Sequence, residues 1–435
     1  MTMPTQPSWD QPRFGESSQD APAATRGNRR TGVDTFNFAM AVTWFVLLLS
    51  SVMQWANYVT EANTFYPFVT LFVAYFLLFR VRDLLKVLSY FQFWVWAGTV
   101  LFAIVLYQAG GGDEWARVSM RQRIVNFSSL AGTALILLDP ERKRILRTAG
   151  LITLGFSIPM LFFELVVPNV FSTAPGRSAG FYQNPNDACA GLLLCLLFVI
   201  DLRRPTTRSL MLVSLVFAAI VTTFSRQGLL FGALLWLYYG LIARGRGGLS
   251  SGKRVFVFVG LVMALLIGGF IVSQQVEFSD EALMRFYSIV RGDVSDRAAL
   301  GRLDKAQASL DAVLQSPWTG LGLGAVERYR FVPHNTFLYI GVDYGIGGVL
   351  VFTFILLFNL ARSMLAGWER GSTSIAVSLL LIYTSAFTHY VHSTNFFAVA
   401  FGALIVDALI EPKRPRRPVA SPSEPLAESY GLRPT

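Results

Sequence analysis

The sequence predicts an all-α membrane protein: a polytopic bundle of about twelve transmembrane helices, with one large outer loop containing amphipathic helices. Three observations predict it. The chain is 53% hydrophobic and only 15% charged, whereas soluble domains carry roughly 25% charged residues. Apolar runs recur along most of its 435 residues, many of them near the roughly 17–25 residues that span a bilayer as helix. The loops between those runs alternate in basic content, as the positive-inside rule expects.

The elements follow in order. Residues 1–34 are polar and rich in Pro, Ser, Gly and Arg; they read as a disordered tail, too polar for a signal peptide. Spans one to nine occupy 35–272, at 36–55, 65–79, 91–109, 124–139, 150–167, 187–202, 208–223, 228–243 and 255–272. Pro67 marks the start of the short second span. Residues 273–333 form the large outer loop, and 334–410 hold the last three spans at 346–361, 373–388 and 395–410. Residues 411–435 read as a second disordered tail.

Charge orients the bundle. With the N-terminus inside, 25 of the 37 basic residues fall in the two tails and the five internal inner loops. That distribution accounts for the net charge of +10 and removes the need for a nucleic-acid partner. An even number of spans returns the C-terminus to the same side. Cys189 and Cys195 lie six positions apart on one helix, on different faces, and cannot pair with each other.

The outer face collects the unusual residues. Gly176-Arg177-Ser178-Ala179-Gly180 and Asn184-Pro185-Asn186 lie in loop 168–186, and Ser225-Arg226 forms a tight turn between two spans. An isolated Arg at the hydrocarbon boundary is costly unless it faces a wet cavity or an anion; its alternative is snorkelling to a headgroup. No Walker-type or Rossmann glycine loop occurs. In the outer loop, 298–315 reads as an amphipathic helix with Leu303, Ala306, Leu310 and Leu314 on one stripe and Arg302, Lys305 and Asp311 elsewhere. Pro317 ends it. Gly320-Leu321-Gly322-Leu323-Gly324 follows, either a phosphate cradle or a plain re-entry turn.

His334, before Asn335, stands at the membrane boundary in a chain with three histidines. It is a candidate for proton chemistry, or else a helix cap. His389 and His392 have i, i+3 spacing, but no third ligand completes a metal site. Asp343 either orients a neighbour or pairs with an outer-loop Arg.

In this order, the motifs Gly176-Arg177-x-x-Gly180, Asn184-Pro185-Asn186, Ser225-Arg226-x-Gly228, Gly301-Arg302, Pro317-x-x-Gly320-x-Gly322 and His334-Asn335-x-x-Leu338 with Gly345-x-x-Gly348 resemble the bacterial O-antigen ligase and polysaccharide polymerase superfamily. The resemblance runs from roughly residue 170 to 350 and rests on the motifs together. It implies an inner-membrane glycosyltransferase of lipopolysaccharide or exopolysaccharide biosynthesis. Such enzymes move a glycan from undecaprenyl pyrophosphate to an acceptor hydroxyl at the periplasmic face, with inversion and without metal or cofactor. The ligase reading takes the lipid A core as acceptor; the alternative is a polymerase joining lipid-linked repeat units. The residues agree. Arg177, Arg226 and Arg302 would bind the pyrophosphate, and His334 would take the hydroxyl proton. Asn184, Asn186, Asn335, Gly322 and His392 would support them. A lipid-linked glycan transporter is the competing class, but it would gather charge at the midplane and show internal repeats. A scaffold without catalysis would not need the His/Arg set.

Overall fold

The computed structural model describes residues 32–60, 65–79, 81–109, 112–239, 297–388, 391 and 394–409. Among these, every regular element is helical. The predicted span at 255–272, residues 240–243, the loop portion 273–296, nearly all of both tails, and His389 and His392 lie outside them.

The chain divides into two units. Residues 1–40 contribute the start of α1 (Gly32–Ser50), and residues 41–435 carry the rest. Ser51 adopts a positive φ of 56° and breaks the predicted 36–55 span into α1 and α2 (Val52–Thr60). α3 (Phe65–Phe79) and α5 (Phe91–Ala109) coincide with their predicted spans. Between them lies α4 (Val81–Leu88), a short polar-faced helix with a Lys86–Asp83 ion pair at 2.7 Å.

α6 (Glu114–Leu137) begins ten residues before its predicted span. Asp113 caps it, accepting the Ala116 N–H at 2.8 Å, so helix forms through a polar stretch that hydropathy alone reads as loop. α7 (Arg142–Val166), α8 (Pro185–Val199), α9 (Thr207–Thr222) and α10 (Arg226–Leu237) follow. Asn184 and Ser225 cap α8 and α10. Both cysteines are free and buried.

α11 (Arg297–Gln315) and the single turn α12 (Ala325–Arg328) pack on α13 (Thr336–Leu365). α13 runs 30 residues, kinked where Gly345 takes φ 72°. The predicted span at 346–361 is thus the portion beyond the kink. α14 (Trp368–Phe387) returns beside it, tied at one end where Thr336 Oγ1 donates to the Thr388 carbonyl at 2.6 Å. α15 (Asn395–Leu409) closes against α6. There, adding a Cβ at Gly402 would bring it to 2.5 Å from Thr133 Cγ2.

By length and composition, three described helices can cross a membrane: Phe91–Gln108, Arg142–Val166 and Thr336–Leu365. Thr35–Ser50, Pro185–Val199, Thr207–Thr222 and Asn395–Leu409 are apolar but shorter.

Candidate functional site

A carboxylate inside an apolar helix organises the loop that follows it. Glu164, 2% exposed in the last turns of α7, accepts four backbone N–H groups. Its Oε1 takes those of Phe171 and Ser172 at 3.0 and 2.5 Å, and Oε2 those of Ala179 and Gly180 at 2.7 and 3.0 Å. The loop is thereby wrapped around the helix end and presents Arg177 inward. Sequence reasoning misses Glu164 because it weighs acids in the loops alone. An ionisable residue in an apolar span is the signal that could have found it.

Arg177 is buried. Its Nε donates to the Thr223 carbonyl at 2.8 Å and Nη2 to Asn186 Oδ1 at 3.3 Å. The same Asn186 oxygen accepts from Ser225 Oγ at 2.7 Å. Two loops that are separate in the sequence are therefore one unit, and Asn186 is its joint. Asn184 has a local role, capping α8. Arg226 begins α10 beside Ser225, and its side chain is exposed.

His334 is half-buried, one residue before the N-cap of α13. The cap is Asn335: its Oδ1 accepts the Leu338 N–H at 3.0 Å while Nδ2 donates to the Ala386 carbonyl at 3.2 Å. The capping alternative for His334 thus falls to its neighbour. Burial, followed by the positive charges of Arg302, Lys305 and Arg177, pushes the His334 imidazole down to about 4. The charges of Arg177 and Arg302 are thus felt at His334. So is that of Lys305, which the sequence placed only on the polar face of a helix.

That helix, α11, forms where the sequence predicts it, and its leucine stripe is not the face that packs. Leu303 and Leu314 are 67% and 65% exposed. The buried face carries small residues instead: Ser309, Ala312 and Val313. Small residues let α11 approach α13 closely, where a Cβ at Gly341 would lie 2.9 Å from Val313.

The glycine run resolves into a turn. A Cβ at Gly320 would meet the Val342 carbonyl at 2.5 Å, and one at Gly324 the Trp115 backbone at 2.7 Å. Both have positive φ, so glycine is required by close backbone approach. Only Gly322 faces open space. Asp343, fully buried, lies 3.7 Å from Arg123 Nη2; it pairs, but with an arginine of α6 and not of the outer loop.

Beneath this layer lies an apolar cavity of about 460 Å³ between α5, α6, α13 and α15. Trp318, Tyr344, Phe352 and Phe401 are among its walls, with Arg123 at its polar part. Gly98 and Gly347 belong to its lining, and a Cβ added at either would have no atom within 4 Å.

Residues 210–353 match the family model described as O-antigen ligase. The segment contains Arg226, Arg302 and His334, and supports the superfamily resemblance carried by the motifs. No curated protein matches the chain.

Proposed function

From the premise that residues 210–353 carry an O-antigen ligase domain, a family of membrane glycosyltransferases, we propose that this protein transfers a glycan from undecaprenyl pyrophosphate to an acceptor hydroxyl. One observation supports the reading: a half-buried imidazole just before the N-cap of α13, on which the charges of Arg302, Lys305 and Arg177 act.

The chemistry follows from those groups. The acceptor oxygen attacks the anomeric carbon, and its proton passes to a ring nitrogen of His334. The bond from that carbon to the pyrophosphate oxygen breaks on the opposite side, which inverts the centre. Negative charge grows on the departing pyrophosphate, and Arg177, Arg302 and Lys305 meet it. Arg226 completes the outer rim. The apolar cavity accommodates the polyprenyl stem. We further propose the twelve-span topology with both termini cytoplasmic and the site facing the periplasm. The lipid A core is the acceptor in our reading; a polymerase joining lipid-linked repeat units uses the same residues.

The test is transfer by purified protein from a defined lipid-linked donor. His334→Ala should lower turnover by roughly 10²–10⁴ while the thermal midpoint stays unchanged. Turnover near that of the unaltered protein removes His334 from the mechanism.

A further inference from the structure

The end of the bundle opposite His334 holds a second polar site that transfer chemistry does not use. α13 separates the two: its 30 residues correspond to about 45 Å of helix, with His334 before its first turn and Arg362 in its last. Around Arg362 the ends of α6, α7, α8, α13, α14 and α15 line a cavity of about 510 Å³ that opens to the surface. Six cations line it: Arg142, Lys143, Arg147, Arg203, Arg362 and Arg370. Its two carboxylates, Asp201 and Asp407, are already engaged. Arg203 Nε lies 3.2 Å from Asp201. Ser374 Oγ donates to Asp407 at 2.6 Å, with Arg142 at 3.8 Å.

Three cations are left over. Among the described residues, no carboxylate lies within ion-pair distance of Lys143, Arg147 or Arg370. The remaining wall has two characters. Ser372 supplies a buried hydroxyl, while Leu137, Phe198 and Leu404 supply apolar surface. A guanidinium fork and a nearby hydroxyl suit phosphate oxygens, and the apolar wall suits a hydrocarbon attached to them.

A surplus of basic residues at an inner membrane face is general to membrane proteins. Arg144 illustrates that background: it is exposed on the same helix, pairs with Glu141 at 3.6 Å, and does not line the cavity. The cavity cations differ because they line one open-mouthed cavity together.

We propose that this cavity is a phosphate-binding site, and that its apolar wall fits it to phosphate carried by a lipid. The full-length protein is titrated with phosphatidylglycerol in phosphatidylcholine nanodiscs, and separately with inorganic phosphate in detergent. Binding is read by native mass spectrometry and by the thermal midpoint. Arg147→Gln and Arg370→Gln should each weaken binding roughly five-fold, and Arg144→Gln should leave it unchanged. Both target side chains are exposed, so the variants should fold, which the unliganded midpoint checks. That pattern with phosphatidylglycerol alone identifies a lipid headgroup; the same pattern with inorganic phosphate identifies a free phosphate compound, overturning the lipid assignment while keeping the site. If Arg144→Gln weakens binding as much as the other two, or neither probe saturates, there is no such site.

Discussion

Glu164 holds Ala179 by its backbone N–H at 2.7 Å, two residues from Arg177, and so positions a guanidinium that it does not itself touch. Each Glu164 oxygen takes two N–H groups. Glu164→Gln replaces one oxygen by a donor that faces donors. Each buried N–H left without an acceptor costs about 1–3 kcal/mol. The expected result is a lower thermal midpoint together with slower transfer. An unchanged midpoint in a melting experiment would show that the loop is held by other means.

The pH dependence of transfer reports on His334. In the free protein its imidazole sits at about 4, below its ordinary 6.5, so it is neutral across the physiological range. Binding a pyrophosphate beside it offsets the Arg302, Lys305 and Arg177 charges and raises that value. The acid limb of kcat/KM, which follows the free enzyme, should therefore lie near 4, and that of kcat at higher pH. The stability linkage has the same sign. A depressed folded-state value contributes stability above pH 6.5, which declines as pH falls toward 4. Coincident limbs at 6.5 would place the imidazole away from the three cations.

The arginines separate ligand recognition from membrane anchoring. Arg177 spends Nε on Thr223 and Nη2 on Asn186, a fork that Lys cannot reproduce. Arg177→Lys should lower both the thermal midpoint and transfer, the latter by roughly 10²; hydrogen bonds to charged groups are worth about 1.5–3 kcal/mol each. Arg226 is exposed, so Arg226→Lys should melt normally yet transfer roughly ten-fold more slowly, because paired donation to phosphate is lost. A snorkelling arginine tolerates Lys. Normal transfer by both variants in the donor assay would make them anchors.

How far the sequence was legible differs from residue to residue. α3 and α5 were readable to their ends because Phe65–Phe79 and Phe91–Ala109 are mostly apolar and carry no charged residue. α6 and α13 were cut short because their first turns carry polar residues and glycine, which hydropathy scores as loop although caps at Asp113 and Asn335 start helix there. Arg177, Arg226 and His334 stood out as isolated polar residues near apolar spans, and Arg302 entered through the motif resemblance. The joining of the Arg177 and Ser225 loops through Asn186, and the part of Lys305, depend on interactions between distant segments that no spacing encodes. The leucine stripe of α11 was legible as a face, but periodicity does not say what covers it. Packing on α13 uses small residues, and the leucines are left exposed.

The cavity makes the last prediction. Its glycines at 98 and 347 have nothing within 4 Å of an added Cβ, so side chains there can fill space without displacing a neighbour. Gly98→Phe and Gly347→Leu should therefore keep the fold while excluding part of a polyprenyl stem. Displacing two or three methylenes from an apolar site costs about 2 kcal/mol, which corresponds to roughly a thirty-fold rise in KM. The rise should appear with a full-length polyprenyl donor. It should vanish with a short-chain analogue that does not reach the cavity, and kcat should change little with either. Measuring both donors on both variants separates exclusion of the stem from damage to the site, since damage would slow the short donor equally. An unchanged KM for the long donor, in variants that melt like the unaltered protein, would mean that the stem lies elsewhere in the bilayer.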